Sequence, residues 1–311
     1  MHVILGTGPL GMSIMRELID QGERVRMVSY SGKAALPPGV QHEKADLLDA
    51  EQAAKIMQEA RVIYHCAQPA YHQWGKLFMR MQDNIVSGAM AAGVKLVVAE
   101  NLYMYGLVQG SMHEQLPHAA TTRKGVLRSE MSRKLLKLHQ DGLLQVVIGR
   151  GSDFFGPGVL GSAIGERFFK PIVAGKPCTV LGDPDKKHTY TFIHDFGKAL
   201  VALGGQEDTY GQSWHVPNAD AVTTRQFAEI AYCAAGFPAS IRTMGKGMLR
   251  IGGLFIPEAR ETIEMTYQFE HDFVVDHSKF SARFELPATP LEHAIAQTLE
   301  WFQSQNPKAA G

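Results

Sequence analysis

Cysteine is scarce in this chain. Cys66, Cys178 and Cys233 are the only three in 311 residues, widely separated and forming no ligand pair. Such usage excludes a disulfide scaffold and a cysteine zinc site, and points to a reducing compartment. Net charge is lacking as well. Thirty-one basic and thirty-one acidic residues cancel, so no global field draws the chain to nucleic acid or to an anionic membrane. No apolar run reaches the length of about eighteen residues that a membrane span needs. A strand beginning at residue 2 leaves no room for a signal peptide, so a cytoplasmic protein is expected. Thirteen histidines are present, but His113/His118, His188/His194 and His271/His277 lack ligand spacing. Surface or hydrogen-bonded histidines are expected, and no metal. There is no internal repeat or low-complexity tract, and only 305–311 reads as frayed.

The chain does contain an ordinary globular composition, 45% hydrophobic and 20% charged, enough for one large or two smaller domains. Its most informative stretch is Met1 to Gly11. Val3, Ile4 and Leu5 read as a strand covered on both faces, and the glycines come directly after it. Gly6 permits a tight turn, Gly8 lets backbone approach a pyrophosphate, and Gly11 allows the next helix to pack closely on the strand. Pro9 suits a first helical position. Leu10, Ile14 and Leu18 recur every fourth residue until Gly22 supplies a stop.

Arg24–Ser29 reads as a second strand, followed by a loop from Tyr30 to Gly39. At such a strand end an acid would hold the ribose hydroxyls of NAD, whereas hydroxyls and a cation suit the 2′-phosphate of NADP. Ser29, Tyr30, Ser31 and Lys33 stand here, with no acid between Arg24 and Gln41. NADP is therefore expected, NAD remaining open if Lys33 is only a solvated loop charge. Asp46 or Asp49 is placed to cap a helix running to about Ala60. Arg61–Ala67 is the next strand, 68–74 a loop, 75–92 a helix and Lys95–Ala99 another strand, leading into Asn101–Gly106. A helix over 122–140 and a strand over 144–148 continue the alternation, which predicts an α/β fold with a doubly wound parallel sheet over 1–150. From about Gly149 the glycines and prolines thicken, with short strands at 178–181 and 189–193 and single helices near 196–203, 224–235 and 291–304. A smaller interleaved substrate lobe, 151–311, with segments returning to the first domain, is expected.

With these residues in order, the chain resembles the extended short-chain dehydrogenase/reductase family of the NAD-dependent epimerase/dehydratase type, as an atypical member. Besides the glycine turn, Ala45-Asp-Leu-Leu-Asp49, Tyr64-His-Cys-Ala67, the helix start at Asn84, Arg150-Gly-Ser-Asp-Phe-Phe-Gly-Pro-Gly158 and Thr191-Phe-Ile-His-Asp195 are similar to that family's motifs. The resemblance implies a Rossmann fold. It also implies pyrophosphate contacts at Gly6, Thr7, Gly8, Leu10 and Gly11, adenine contacts at Asp46 and Leu47, ribose contacts at Cys66, Ala67 and Gln68, and nicotinamide contacts at Gly151 and Ser152. The implied activity is hydride transfer between nicotinamide and a carbonyl or secondary alcohol, such as that of a nucleotide sugar.

The family's Ser, Tyr and Lys are where the pattern breaks. Asn101 stands in the Ser slot. Registered on Glu130, the Tyr-x-x-x-Lys slot holds Thr122 and Val126, and no tyrosine occurs between Gly106 and Thr189. A threonine hydroxyl does not titrate near neutrality, so another group must move the proton. Tyr103 is the first candidate, since strand alternation would set it on one face with Asn101, while Tyr105 reads as core. Asp153 would orient a substrate hydroxyl, act as a base, or cap a turn. Arg123 and Lys124 would bind an anionic substrate or stand as solvated charge, and Tyr71 and Trp74 would wall a pocket for a small molecule. A homodimer through the 75–92 and 122–140 helices is compatible with this reading. The alternative to an enzyme is a non-catalytic NADP-binding redox sensor.

Overall fold

Hydrophobic runs of four or five residues become the centre of a parallel sheet. In the computed structural model, which describes residues 1–252, 255 and 257–305, seven strands form it: β1 (His2–Leu5), β2 (Val25–Ser29), β3 (Gln41–Lys44), β4 (Val62–His65), β5 (Lys95–Glu100), β6 (Val146–Arg150) and β7 (Ser213–His215). Their spatial order is β7-β6-β5-β4-β1-β2-β3, and every neighbouring pair is parallel. This is the doubly wound Rossmann arrangement, with the order reversing beside β1. β1, β4 and β6 are buried along their whole length, as strands covered on both faces must be. β3 is different: its Gln-His-Glu-Lys is polar and half exposed at the sheet edge.

The helices that cover the sheet are α1 (Pro9–Asp20), α2 (Ala50–Ile56), α3 (Trp74–Ala92), α4 (Arg123–Gln140) and α5 (Ile193–Gly205). Val3, Leu5, Ile63, Leu96 and Ile148 from the strands join Ile56, Ile85, Ala89 and Leu135 from the helices in one buried cluster. Asp49, rather than Asp46, caps α2, accepting from the Glu51 and Gln52 amides. Asp46 instead accepts from the Leu48 amide in the preceding turn. The helix is accordingly shorter than the sequence pattern predicts, ending at Ile56 where the chain turns through the left-handed Glu59.

The chain forms two compact units. One comprises Met1–Gly106, Pro117–Gly151 and Phe196–Val216, and so contains the whole parallel sheet. The other comprises Leu107–Leu116, Ser152–Asp195 and Pro217–Gly311. The described part of this second unit is built on an aromatic core of Phe155, Phe168, Phe169, Phe227 and Phe302. Its strands are short pairs, such as 153–155 with 190–192 and 178–181 with 241–244. Among the described residues no helix is long and apolar enough to cross a membrane. The expected fraying at the chain end lies, apart from Gln305, outside the described residues.

Candidate active site

The glycine turn joins β1 to α1. Gly6 has φ +114°, and a Cβ on it would press on the Cys66 and Ala67 backbone at 3.2–3.3 Å. A Cβ on Gly11 would overlap the Gly6 carbonyl oxygen, so this glycine is what seats the helix on the strand. Gly8 is exposed, and a Cβ there would meet nothing within 4 Å. It also forms the N-cap of α1, without a side-chain cap, and no acid stands in the first turn. An uncapped twelve-residue helix with its positive end in open space fits a pyrophosphate. Thr7 and Leu10 flank the opening, both half-buried.

At the end of β2, Ser29 is more engaged than its sequence suggests. Its hydroxyl lies 2.9 Å from His42 Nε2 and accepts from the Gly32 amide at 3.1 Å. Ser31 accepts from the Lys33 amide at 3.2 Å, tying the loop, while Tyr30, Ser31 and Lys33 remain exposed. No local pattern marks His42 as a neighbour of this loop, because β3 has no apolar alternation. Asp46 is half-buried and Leu47 buried in the turn after β3.

β4 ends at His65, with Cys66 and Ala67 half-buried and Gln68 exposed just beyond. Burial pushes the Cys66 thiol up, away from thiolate chemistry. The loop then turns through a single 3-10 turn, Tyr71–Gln73, into α3. Trp74 and Phe78 of α3 pack with Met131 of α4, and the partly exposed Tyr71, Tyr103 and Leu127 lie against them. Trp74 sits 5.0 Å from the Tyr71 ring and 6.2 Å from that of Tyr103.

Asn101 and Tyr103 are brought together, but not by strand alternation as expected. β5 stops at Glu100, and Tyr103–Tyr105 forms a 3-10 turn. The two residues meet because the Tyr103 amide donates to Asn101 Oδ1 at 3.2 Å. A side chain that accepts a backbone amide two residues on breaks the strand and re-aims the residues after it. Tyr105 is core, as expected, but as part of a polar network: its hydroxyl lies 2.9 Å from His215 Nε2 and accepts from Arg150 at 2.6 Å.

The start of α4 also departs from the register expected. Thr122 is the N-cap, accepting from the Gly125 amide, and Val126 faces outward, 40% exposed. The inward positions are Lys124 and Arg128, one turn apart and each only a few per cent exposed. Solvated charge is therefore the wrong description of Lys124, whose Nζ lies 4.4 Å from the centre of the Tyr71 ring. Arg128, buried beside Trp74 and Phe78, is a residue that the sequence motifs do not point to. A helical stripe of Lys124, Arg128, Met131 and Leu135, charged at two of four inward places, is the signal that identifies it.

Glu100 and Arg150 are register partners at the ends of β5 and β6 and form a buried ion pair, Arg150 Nε to Glu100 Oε2 at 3.1 Å. Arg150 also donates to Ser132 at 2.7 Å. Arg128 approaches the same carboxylate at 3.6 Å. Nearby, burial and Arg128 push His65 down to about 3, and burial and Arg150 push His118 down to about 4. Both imidazoles are thus neutral at physiological pH. Gly151 follows Arg150 with no room for a side chain: a Cβ would come within 2.7 Å of the Phe196 ring.

In the second unit Ser152 is buried, its amide donating to Thr191 Oγ1, and Thr191 donates in turn to Asn218. Asp153 is not a free carboxylate. His188 Nε2 lies 2.9 Å from its Oδ2, and His188 Nδ1 lies 3.2 Å from the Gln268 carbonyl, which can only accept. Three rings stack on the imidazole, those of Tyr190, Phe273 and Phe269 at 4.6, 4.9 and 5.1 Å. Thirty-five residues separate His188 from Asp153, and no motif spacing links them. Among the described residues, no group of three or more histidines, cysteines or acids could hold a metal ion.

Comparison with known proteins agrees with this geometry. The family model for the NAD dependent epimerase/dehydratase family matches residues 3–216. The 3beta-hydroxysteroid-dehydrogenase/decarboxylase isoform 2 of Arabidopsis thaliana is 23% identical over 281 residues, covering 81% of this chain and 47% of that protein. The chain thus spans about half the length of that relative. Among solved structures, UDP-glucuronic acid 4-epimerase from Bacillus cereus in complex with NAD superposes with a TM-score of 0.78 at 17% identity, over 98% of this chain and 99% of that one. UDP-glucose 4-epimerase from Thermus thermophilus, also in complex with NAD, gives 0.78 at 19% identity over 97% and 99%. At such identities these structures speak for the fold, and the family match covers the glycine turn, the whole sheet and the buried cluster above it. The chain belongs to the NAD-dependent epimerase/dehydratase family, a family of enzymes.

Proposed function

We propose that this chain transfers a hydride between the nicotinamide of NADP and a carbonyl or secondary alcohol of a small molecule. The observation that carries the reading is Gly8, which leaves open space at an uncapped helix start free of acids. The dinucleotide, when bound, supplies or accepts the hydride. Gly6, Thr7, Gly8, Leu10 and Gly11 would hold its pyrophosphate, Asp46 and Leu47 its adenine, and Cys66, Ala67 and Gln68 its ribose, with Gly151 and Ser152 toward the nicotinamide. The preference for NADP over NAD rests on Ser29, Tyr30, Ser31 and Lys33, to which His42 is now added through its contact with Ser29. No acid stands in the loop to hold the ribose hydroxyls instead.

Tyr103 is the group assigned to the proton. As the hydride leaves an alcohol carbon, Tyr103 as phenolate takes the hydroxyl proton and becomes the phenol; in the reverse direction the phenol gives that proton to the carbonyl oxygen and is left as phenolate. Support comes from its partial exposure beside Trp74 and from the electrostatic coupling of its side chain to Arg128. Asn101 is a positioning residue, since it fixes the turn that carries Tyr103. Asp153, held by His188, suits orientation of a substrate hydroxyl rather than proton abstraction. The names of the structural neighbours make nucleotide sugars the first substrates to try.

A fluorescence titration of the purified protein with NADPH and NADH side by side tests the cofactor reading. Tight NADPH and much weaker NADH binding is expected; failure of both to bind would end it. With a substrate in hand, Tyr103→Phe is expected to bind NADPH normally and to lose turnover by about two orders of magnitude or more, the usual worth of a general acid or base. Unchanged turnover would remove Tyr103 from the mechanism.

A further inference from the structure

Two arginines are buried in the sheet unit, and they are satisfied very differently. Arg150 makes three short hydrogen bonds, to Glu100, Tyr105 and Ser132, at 2.6–3.1 Å. Arg128 makes none of that length. Its Nε has no hydrogen-bond partner. Its Nη atoms reach only the Ala99 carbonyl at 3.5 Å, Glu100 at 3.6 Å and the Met131 sulfur at 4.0 Å. Yet the side chain is only 4% exposed and lies 4.9 Å over the Phe78 ring and 5.9 Å over that of Trp74. A guanidinium carries five donors and cannot shed its charge, so burying it without short acceptors is costly.

The charges around it add to the imbalance. Glu100 is shared between Arg128 and Arg150, so one carboxylate answers two buried guanidinium groups. Lys124 lies one turn earlier on the same face of α4, over Tyr71. The fork of Arg128 matches a carboxylate in planarity and donor spacing. Its surroundings of Trp74, Phe78 and Tyr103 lower the local dielectric and strengthen such a pair. The partly buried Tyr71, Tyr103 and Leu127 pack against this cluster.

We propose that Arg128, with Lys124 beside it, anchors a carboxylate of the substrate, and that this chain acts on a carbonyl or secondary alcohol compound bearing a carboxylic acid. The assignment rests on the hydride-transfer reading above and narrows its substrate to an acid. Burial depresses the guanidinium, and Glu100 opposes the shift only in part, which agrees with a cation awaiting a second anion.

The test uses the full chain and measures malonate binding by calorimetry, with and without saturating NADPH, against malonamide as the uncharged counterpart. Malonate is expected to bind and malonamide not. Arg128→Met is expected to weaken malonate by about tenfold or more, the loss of one charged hydrogen-bonding partner, and to leave NADPH affinity within a factor of about two. Arg128→Lys keeps the buried charge and loses the fork; it is expected to fold and to fall between the two. Three results would overturn the proposal: no malonate binding to the unaltered chain, equal binding to Arg128→Lys and the parent, or NADPH weakened by the Arg128 variants while malonate is not. Inorganic phosphate competing as well as malonate would overturn the carboxylate assignment. If NADPH fails to bind but malonate binding still depends on Arg128, the hydride-transfer reading falls and the anion site stands.

Discussion

A methyl group added at Gly11 would run into the Gly6 carbonyl, whereas one added at Gly8 would meet nothing within 4 Å. The two glycines of one motif therefore answer to different demands, folding and ligand approach. Gly11→Ala is expected to lower the melting temperature by several degrees, because a backbone oxygen cannot move aside as a side chain can. Gly8→Ala is expected to melt like the parent and to bind NADPH about tenfold more weakly or worse, its methyl standing where the pyrophosphate would approach. Equal NADPH affinity in Gly8→Ala would argue that no phosphate reaches this turn. His65 and His118 carry a second consequence at this scale. Unfolded, each titrates near its ordinary 6.5, while folded they are pushed down to about 3 and about 4. Between those values the unfolded chain takes up protons that the folded chain does not, so stability falls as pH drops from about 6.5 toward 4. Urea midpoints measured across that range are expected to decline, and His65→Asn to decline less steeply. A flat profile would mean that the imidazoles are more hydrated than their surroundings suggest.

Among elements, legibility followed burial. β1, β4 and β6 were readable because strands covered on both faces are written as unbroken apolar runs. β3 was not, since an edge strand of Gln-His-Glu-Lys has neither a run nor an alternation, and with it went His42, whose nearness to Ser29 only pairing across β2 and β3 discloses. Asn101 and Tyr103 lie together as expected, but through a side-chain hydrogen bond in place of the pleat. Arg128 escaped because the stripe it shares with Lys124, Met131 and Leu135 is charged at two of its four inward places, so the apolar half alone is too short to mark the buried face. The ends of β5 and β6 offer a test of how much the buried pair contributes there. Glu100→Gln leaves Arg128 and Arg150 without their carboxylate and is expected to cost about 3–5 kcal/mol in chemical denaturation. Removing Arg150 as well, in Glu100→Gln/Arg150→Met, is expected to recover part of that loss; a double variant no better than the single would mean that the pair is not coupled.

Over the whole molecule, the order of elements made the fold class plain; a return of later segments to the first domain was expected, though not which segments. Alternating strands and helices up to Arg150 read as one sheet, but the sheet takes its seventh strand, β7, from 213–215. A three-residue strand, Ser213–His215, is too short for periodicity to reveal. That late strand has a bearing on biosynthesis. On a ribosome, β6 emerges with its outer row of amide and carbonyl groups unpaired, and its partner follows only after the intervening 151–212, of which 152–195 belongs to the second unit, has been made. Until then the nascent sheet presents an open edge, apolar at Val146, Val147 and Ile148, to other chains. Expression of 1–150 alone would freeze the protein in that unfinished condition and should yield inclusion bodies, whereas a chain extended to Val216 brings its own edge strand.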